Sequence, residues 1–99
     1  MGERQLALGE EQMTQAAVTM YVSDWCPYCR RARDLLTGKN VNLSEINVED
    51  DLKFREEMIA RSNRRTVPQI FIGDKHVGGC DDLFELDRSG ELDRLLQGA

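Results

Sequence analysis

The chain has 99 residues, 40% of them apolar and 31% charged, with eight glycines and two prolines. That composition fits one globular domain and excludes a collagen-like repeat, a proline- or glycine-rich linker and a disordered acidic tail. Thirteen basic against eighteen acidic side chains leave a net charge of −5, a poor balance for general nucleic-acid binding, which needs clustered cations.

Residues 1–15 are polar, with scattered apolar positions and two glycines. They read as a disordered N-terminal extension, with Met13 as an alternative start of the chain. The domain is expected over residues 16–99. Residues 17–22, Ala-Val-Thr-Met-Tyr-Val, form a run of apolar residues and β-formers and predict a buried strand. Residues 26–37 predict a helix, with Pro27 near its start, Tyr28, Ala32, Leu35 and Leu36 at helical spacing, and Gly38 as a stop. Residues 41–48 alternate through Val41, Leu43, Ile46 and Val48, a second strand with a shift in its middle. Asp50 or Asp51 caps a helix running to about Arg61, with Leu52, Phe54 or the stem of Arg55, Met58 and Ile59 as its apolar face.

Residues 67–72 predict a third strand and Gly73-Asp74 a tight hairpin turn. Residues 75–77 make a short fourth strand that ends at Gly78-Gly79. Asp81 or Asp82 then caps a helix with Leu83, Phe84 and Leu86 inside, Gly90 breaks it, and Leu92, Leu95 and Leu96 mark a last short helix. The order is β-α-β-α-β-β-α-α. Its first two β-α-β segments imply parallel neighbours joined by helix crossovers, and the hairpin adds an antiparallel edge. An α/β fold follows: a four-stranded mixed sheet with helices on both faces.

No run approaches the roughly 20 apolar residues of a membrane span, and no basic patch followed by an apolar run marks a signal peptide. The reducing cytosol is therefore the expected compartment. Three cysteines do not make a framework of paired disulfides.

Trp25-Cys26-Pro27-Tyr28-Cys29-Arg30-Arg31 lies where the first strand turns into the first helix. Cys26 sits at the helix N-terminus, where unpaired backbone N–H groups and the macrodipole favour a thiolate over a thiol. Cys29 is one turn deeper and less exposed. The asymmetry defines Cys26 as the nucleophile and Cys29 as the resolving thiol. Two other readings are weaker. A zinc site would need His76 and Cys80 to converge on the C-x-x-C pair, and two merely buried cysteines would leave the junction unexplained. Cys80 reads as a packed thiol, and His76 as a surface or hydrogen-bonded histidine. Trp25 either shields the thiolate or caps the core. Thr66-Val67-Pro68-Gln69 opens the third strand, and its residues alone do not choose between a cis and a trans proline. A cis bend would turn the Val67 backbone outward as an edge for an extended ligand.

Four segments in order resemble the glutaredoxins, of the dithiol kind: Cys-Pro-Tyr-Cys at 26–29, Thr-Val-Pro-Gln-Ile-Phe-Ile-Gly at 66–73, Gly-Gly-Cys-Asp-Asp-Leu at 78–83 and Leu-Asp-Arg-Ser-Gly-Glu-Leu at 86–92. The resemblance implies a thioredoxin fold and a glutathione-dependent thiol–disulfide oxidoreductase with Cys26 and Cys29 as catalytic residues. It also implies a cis Pro68 and a glutathione site. In that site the Val67 backbone pairs with the cysteinyl residue, and the N–H groups of Cys80 and Asp81 meet the γ-glutamyl carboxylate. Asp81 or Asp82 takes the ammonium, Tyr28 lines the groove, Arg64 and Arg65 meet the glycyl carboxylate, and Thr66, Pro68 and Gly79 complete the set. No bound cofactor and no metal are implied, with glutathione as co-substrate. The implied partners are glutathione and disulfide-bonded or glutathionylated proteins, with no nucleic acid and no membrane, and the protein a monomer in the cytoplasm. The alternative within the resemblance is a glutathione-ligated [2Fe–2S] carrier. One position departs from the pattern: many family members carry a lysine three residues before the first cysteine, and Ser23 stands there, followed by Asp24. Arg30 or Arg64 is the candidate replacement cation.

Overall fold

The computed structural model describes residues 16–98. The expected disordered extension over 1–15 lies outside them, as does Ala99. Eight elements follow in order: β1 (Ala17–Val22), α1 (Pro27–Thr37), β2 (Asn42–Asn47), α2 (Leu52–Ser62), β3 (Gln69–Ile72), β4 (Lys75–Gly78), α3 (Cys80–Ser89) and α4 (Glu91–Gly98). The strands form one sheet in the order β2-β1-β3-β4. β1 runs parallel to β2 and antiparallel to β3, and β3 runs antiparallel to β4.

The sheet has a core on each face, because successive side chains of a strand point to opposite sides. Val18, Met20 and Val22 of β1 and Ile70 and Ile72 of β3 pack with Ala32 and Leu36 of α1, Leu83 of α3 and Leu92 and Leu96 of α4. Tyr21 and Phe71 point the other way and pack with Val48 and with Met58 of α2. Their rings meet edge to face, with centroids 5.9 Å apart. The expected mixed sheet with helices on both faces is therefore present.

The second crossover differs from the expectation. β3 does not join β2 in parallel; it takes the free edge of β1 in the opposite sense. Burial explains this. All four residues of β3 are buried, so β3 needs a strand on each side and cover on each face. β2 leaves Asn42, Ser44 and Glu45 exposed and suits an edge. The expected shift within β2 is also absent, since pairing runs in continuous register from Ala17 opposite Asn42 to Val22 opposite Asn47. Leu43 and Ile46 look out of phase because Leu43 serves one core and Ile46 the other.

Other boundaries shift by small amounts. β3 begins at Gln69 rather than at Val67. As expected, Cys29 is the residue of the first turn of α1 that is buried, and Tyr28 stays exposed. Leu52 is 70% exposed and does not belong to the apolar face of α2; it is the first residue after the Asp51 cap, whose carboxylate accepts from Lys53 N–H. The cap of α3 is Gly79 rather than Asp81 or Asp82. Gly90 ends α3 with φ 83°, a left-handed conformation that glycine adopts without cost. Lys39, just after α1, reaches Asp87 at 2.8 Å and Asp93 at 2.9 Å and ties α1 to α3 and α4.

Leu36→Ala should cost about 2–5 kcal/mol of stability, since Leu36 is fully buried between α1 and the sheet. Leu52→Ala should cost less than about 0.5 kcal/mol. Urea unfolding of the two variants checks both values.

Candidate active site

β1 ends at Val22, and four residues carry the chain to α1. Asp24 accepts a hydrogen bond from Asn47 Nδ2 at 2.9 Å, which fixes this turn to the end of β2. Trp25 adopts a left-handed φ of 55°. Cys26 is the N-cap of α1, with extended backbone at φ −112° and ψ 97°. Its Sγ accepts from Cys29 N–H at 3.1 Å. The sulfur thus takes the place that a serine or aspartate oxygen holds in an ordinary cap. Pro27 follows at the first helical position, where its missing N–H leaves no bond unmade.

The two active-site sulfurs are joined as a disulfide, with the Cα atoms 5.2 Å apart. Cys26 is partly exposed, and Cys29 is 1% exposed. Of the two sulfur-bearing residues, Cys26 is the one open to solvent. Once reduced, a Cys26 thiolate has the Cys29 N–H and the helix N-terminus beside it.

Next to the pair is a groove of about 220 Å³, lined by Tyr28, Arg64, Thr66, Val67, Pro68, Gly79, Cys80, Asp81 and Asp82. Three separate chain segments build it: the first turn of α1, the loop before β3 and the first turn of α3. The Val67–Pro68 bond is cis. Arg65 is exposed and is not among the lining residues. Gly79 has no side chain with which to cap α3, so the first N–H groups of that helix keep no side-chain partner at the cap. Asp82 reaches back instead. Its Oδ2 accepts from Gly79 N–H at 2.9 Å and from Arg64 Nη1 at 3.0 Å. The Gly79 N–H, and then Arg64, hold the Asp82 carboxyl below the usual carboxylate range. Gly78, at φ 118°, leaves room for this carboxylate, because a Cβ there would collide with it. Cys80 is buried, and burial pushes its thiol up from the usual value.

Two residues that sequence reasoning passed over position the groove. Gln69 is fully buried. Its Nε2 donates to Thr66 O at 3.0 Å and to Thr66 Oγ1 at 3.2 Å. Its Oε1 lies 2.7 Å from His76 Nε2. Since the amide nitrogen faces Thr66, the amide oxygen accepts, and His76 Nε2–H donates. His76 is thus hydrogen-bonded, and burial, followed by Arg64, lowers its pKa. The chain His76–Gln69–Thr66 holds the loop in front of the cis proline. The second residue is Ser62, whose Oγ donates to Met58 O at 2.7 Å and accepts from Arg64 N–H at 3.0 Å. Asn63 follows with a left-handed φ of 63° and turns the chain toward the groove. A polar residue directly after Pro68, at the head of an Ile-Phe-Ile run, was the available signal for Gln69.

Trp25 is 97% exposed and does not cap the core. Among the described residues no group of three or more His, Cys, Asp and Glu side chains converges as a metal site, so His76 and Cys80 do not complete a zinc set with the C-x-x-C pair. No helix among the described residues is long and apolar enough to cross a membrane.

The glutaredoxin family model matches residues 18–77. Glutaredoxin 3 of Escherichia coli is 52% identical over 82 residues, which span 83% of this chain and 99% of that one. The solution structure of a glutaredoxin from Brucella melitensis superposes with a TM-score of 0.75 at 47% identity, over 87% of this chain and 95% of the other. A buckwheat glutaredoxin–glutathione complex superposes with a TM-score of 0.76 at 27% identity, over 95% of this chain and 90% of that one.

In the reduced protein at pH 7, iodoacetamide should modify Cys26 on the order of tenfold faster or more than Cys29 or Cys80. Only Cys26 combines exposure with the helix N-terminus, and burial keeps Cys80 a neutral thiol. Peptide mapping over time reads the three rates.

Proposed function

The chain belongs to the glutaredoxin family and is a thiol–disulfide oxidoreductase, and we propose that it uses glutathione as its co-substrate, bound in the groove beside Cys26. The observation that carries this reading is the composition of that groove. One cation, Arg64, two carboxylates, Asp81 and Asp82, the first turn of α3 and the Val67 backbone meet there, together with Tyr28, which stands between the two cysteines in the chain. Glutathione is a tripeptide with two carboxylates and one ammonium, and each feature has a counterpart. Val67 offers backbone N–H and C=O groups to the cysteinyl residue. The N–H groups of Cys80 and Asp81, at the start of α3, take the γ-glutamyl carboxylate. Asp81 takes the ammonium, because Asp82 is already engaged with Gly79 and Arg64. Arg64 offers its remaining donors to the glycyl carboxylate, and Arg65, on the same loop, adds charge from outside the groove. Tyr28, 56% exposed, closes one wall with its ring. Thr66, Pro68 and Gly79 shape the backbone between these groups.

Two routes follow. In the first, the Cys26 thiolate attacks the glutathionyl sulfur of a glutathionylated protein. The substrate S–S bond breaks, and the protein thiolate leaves and takes up a proton. A second glutathione thiolate then attacks the glutathionyl sulfur held on Cys26. Glutathione disulfide departs, and the Cys26 thiolate is restored. In the second route, Cys26 attacks a protein disulfide and one substrate sulfur leaves as a thiolate. The Cys29 thiolate, once deprotonated, attacks Cys26 and expels the other substrate sulfur. The resulting Cys26–Cys29 disulfide is the bond present in the structure, and two glutathione molecules reduce it. The partners are accordingly glutathione and disulfide-bonded or glutathionylated proteins.

The two routes separate by mutation. Cys26→Ser should abolish both, because each begins with the same sulfur. Cys29→Ser should retain turnover of a small glutathione mixed disulfide and lose turnover of a protein disulfide, since glutathione supplies the second sulfur only in the first route. A glutathione-coupled assay on both substrates checks this. Equal loss of mixed-disulfide turnover in the two variants would contradict the division of roles.

A further inference from the structure

A second groove opens at Cys26 and takes part in neither route. Cys26 and Pro27 form part of its lining, together with Trp25 and with Arg30, Arg31 and Arg33 of α1. Its volume is about 680 Å³, against about 220 Å³ for the groove that holds Tyr28 and Val67. Trp25 is 97% exposed. A bare indole beside a reactive sulfur is a large apolar surface with nothing packed on it.

The charges of this groove are unequally committed. Arg33 is engaged by both oxygens of Glu45, at 2.6 and 2.7 Å. Arg31 lies 5.4 Å from the Phe84 ring centroid. Neither Arg30 nor Arg31 has an ion-pair partner among the described residues. Asp24 also lines the groove and accepts from the Asn47 amide, so the lining holds three arginines against one carboxylate. Arg30, and Arg31 apart from its contact with the Phe84 ring, thus line the groove beside Cys26 with no ion-pair partner among the described residues, in a chain whose net charge is −5.

We propose that this second groove seats the polypeptide part of a glutathionylated or disulfide-bonded substrate, and that it selects segments carrying acidic side chains and an apolar residue close to the reacting cysteine. The proposal rests on the reading that glutathione occupies the smaller groove. Size favours a polypeptide over a second glutathione, since the groove is about three times the volume of the one assigned to the tripeptide. Charge complementarity favours an acidic segment, and the free indole supplies the apolar contact. The local surface and the overall charge make opposite demands, because a chain at −5 as a whole repels an acidic peptide.

Two glutathionylated peptides of equal length test this, each with a leucine next to the cysteine, one flanked by glutamates and one by lysines. The readout is the ratio of their kcat/KM values, which cancels any change in thiolate reactivity. Wild type should favour the acidic peptide by about two- to tenfold at low salt, the size of two exposed ion pairs, and the preference should fade at high ionic strength. Arg30→Glu combined with Arg31→Glu should bring the ratio to one or invert it. Trp25→Ala should slow both peptides and leave the ratio in place. A wild-type preference for the basic peptide, or a ratio that survives the double substitution, would overturn the docking surface. The mixed disulfide of glutathione with 2-mercaptoethanol runs alongside. Turnover of that substrate with a peptide ratio of one would sink the docking surface alone, and no turnover of it would sink the glutathione reading together with the proposal.

Discussion

The hydrogen bond from Cys29 N–H to Cys26 Sγ, at 3.1 Å, is the contact around which the site is organised. It makes Cys26, the proposed nucleophile, the cap of its own helix. One sulfur thereby satisfies a backbone donor, receives the field of the helix N-terminus and stays at the surface. The fold exists to hold that sulfur still. β1 is paired on both edges as far as Tyr21, and its last three residues, Met20 to Val22, are buried, which anchors the end of the strand. Asn47 pins the following turn through Asp24. α1 is then held to the sheet by Cys29, Ala32 and Leu36. Burial of Cys29 serves packing and suits the resolving role proposed for it, since such a thiol has to be close to Cys26 and shielded from other thiols.

The groove beside this sulfur depends on a different kind of constraint. Its walls come from loops, and loops need fastening. Gln69 fastens the Thr66–Pro68 segment from inside the sheet, with His76 holding the amide in one orientation. Asp82 fastens Gly79 and Arg64 at once. Ser62 sets the backbone of Arg64. Each anchor is a polar side chain whose hydrogen bonds are internal, and no buried side-chain N or O among the described residues lacks a partner. The groups proposed to bind glutathione that remain, Asp81 and the first N–H groups of α3, have no side-chain partner at the cap, whereas Asp82 is engaged with Gly79 and Arg64.

Much of this was legible in the sequence, and for physical reasons. The strand at 17–22 and the helix from Pro27 to Thr37 follow from a run of β-formers and from a proline and a glycine at the two ends. The Cys26–Cys29 asymmetry follows from their place at a strand-to-helix junction. Two things were not legible. The neighbour of β3 depends on which strands are buried on both faces, a property of the assembled sheet, and spacing along the chain suggested β2 instead. The roles of Gln69 and Ser62 were hidden because a polar residue in an apolar run carries no mark of its partner until the fold brings Thr66 or Arg64 to it. Leu52 was misplaced toward the core for a related reason. At the first turn of a helix, helical spacing does not say which of two adjacent residues turns inward.

The most direct test is a titration of reduced, isotopically labelled Cys26→Ser protein with glutathione, followed by backbone amide NMR. Serine cannot form a mixed disulfide, so the spectra report binding alone. Glutathione in the proposed groove should give saturable shifts centred on Tyr28, Thr66, Val67, Cys80 and Asp81. Shifts confined to β2 or to the outer face of α2, or no saturable shifts at all, would contradict that placement.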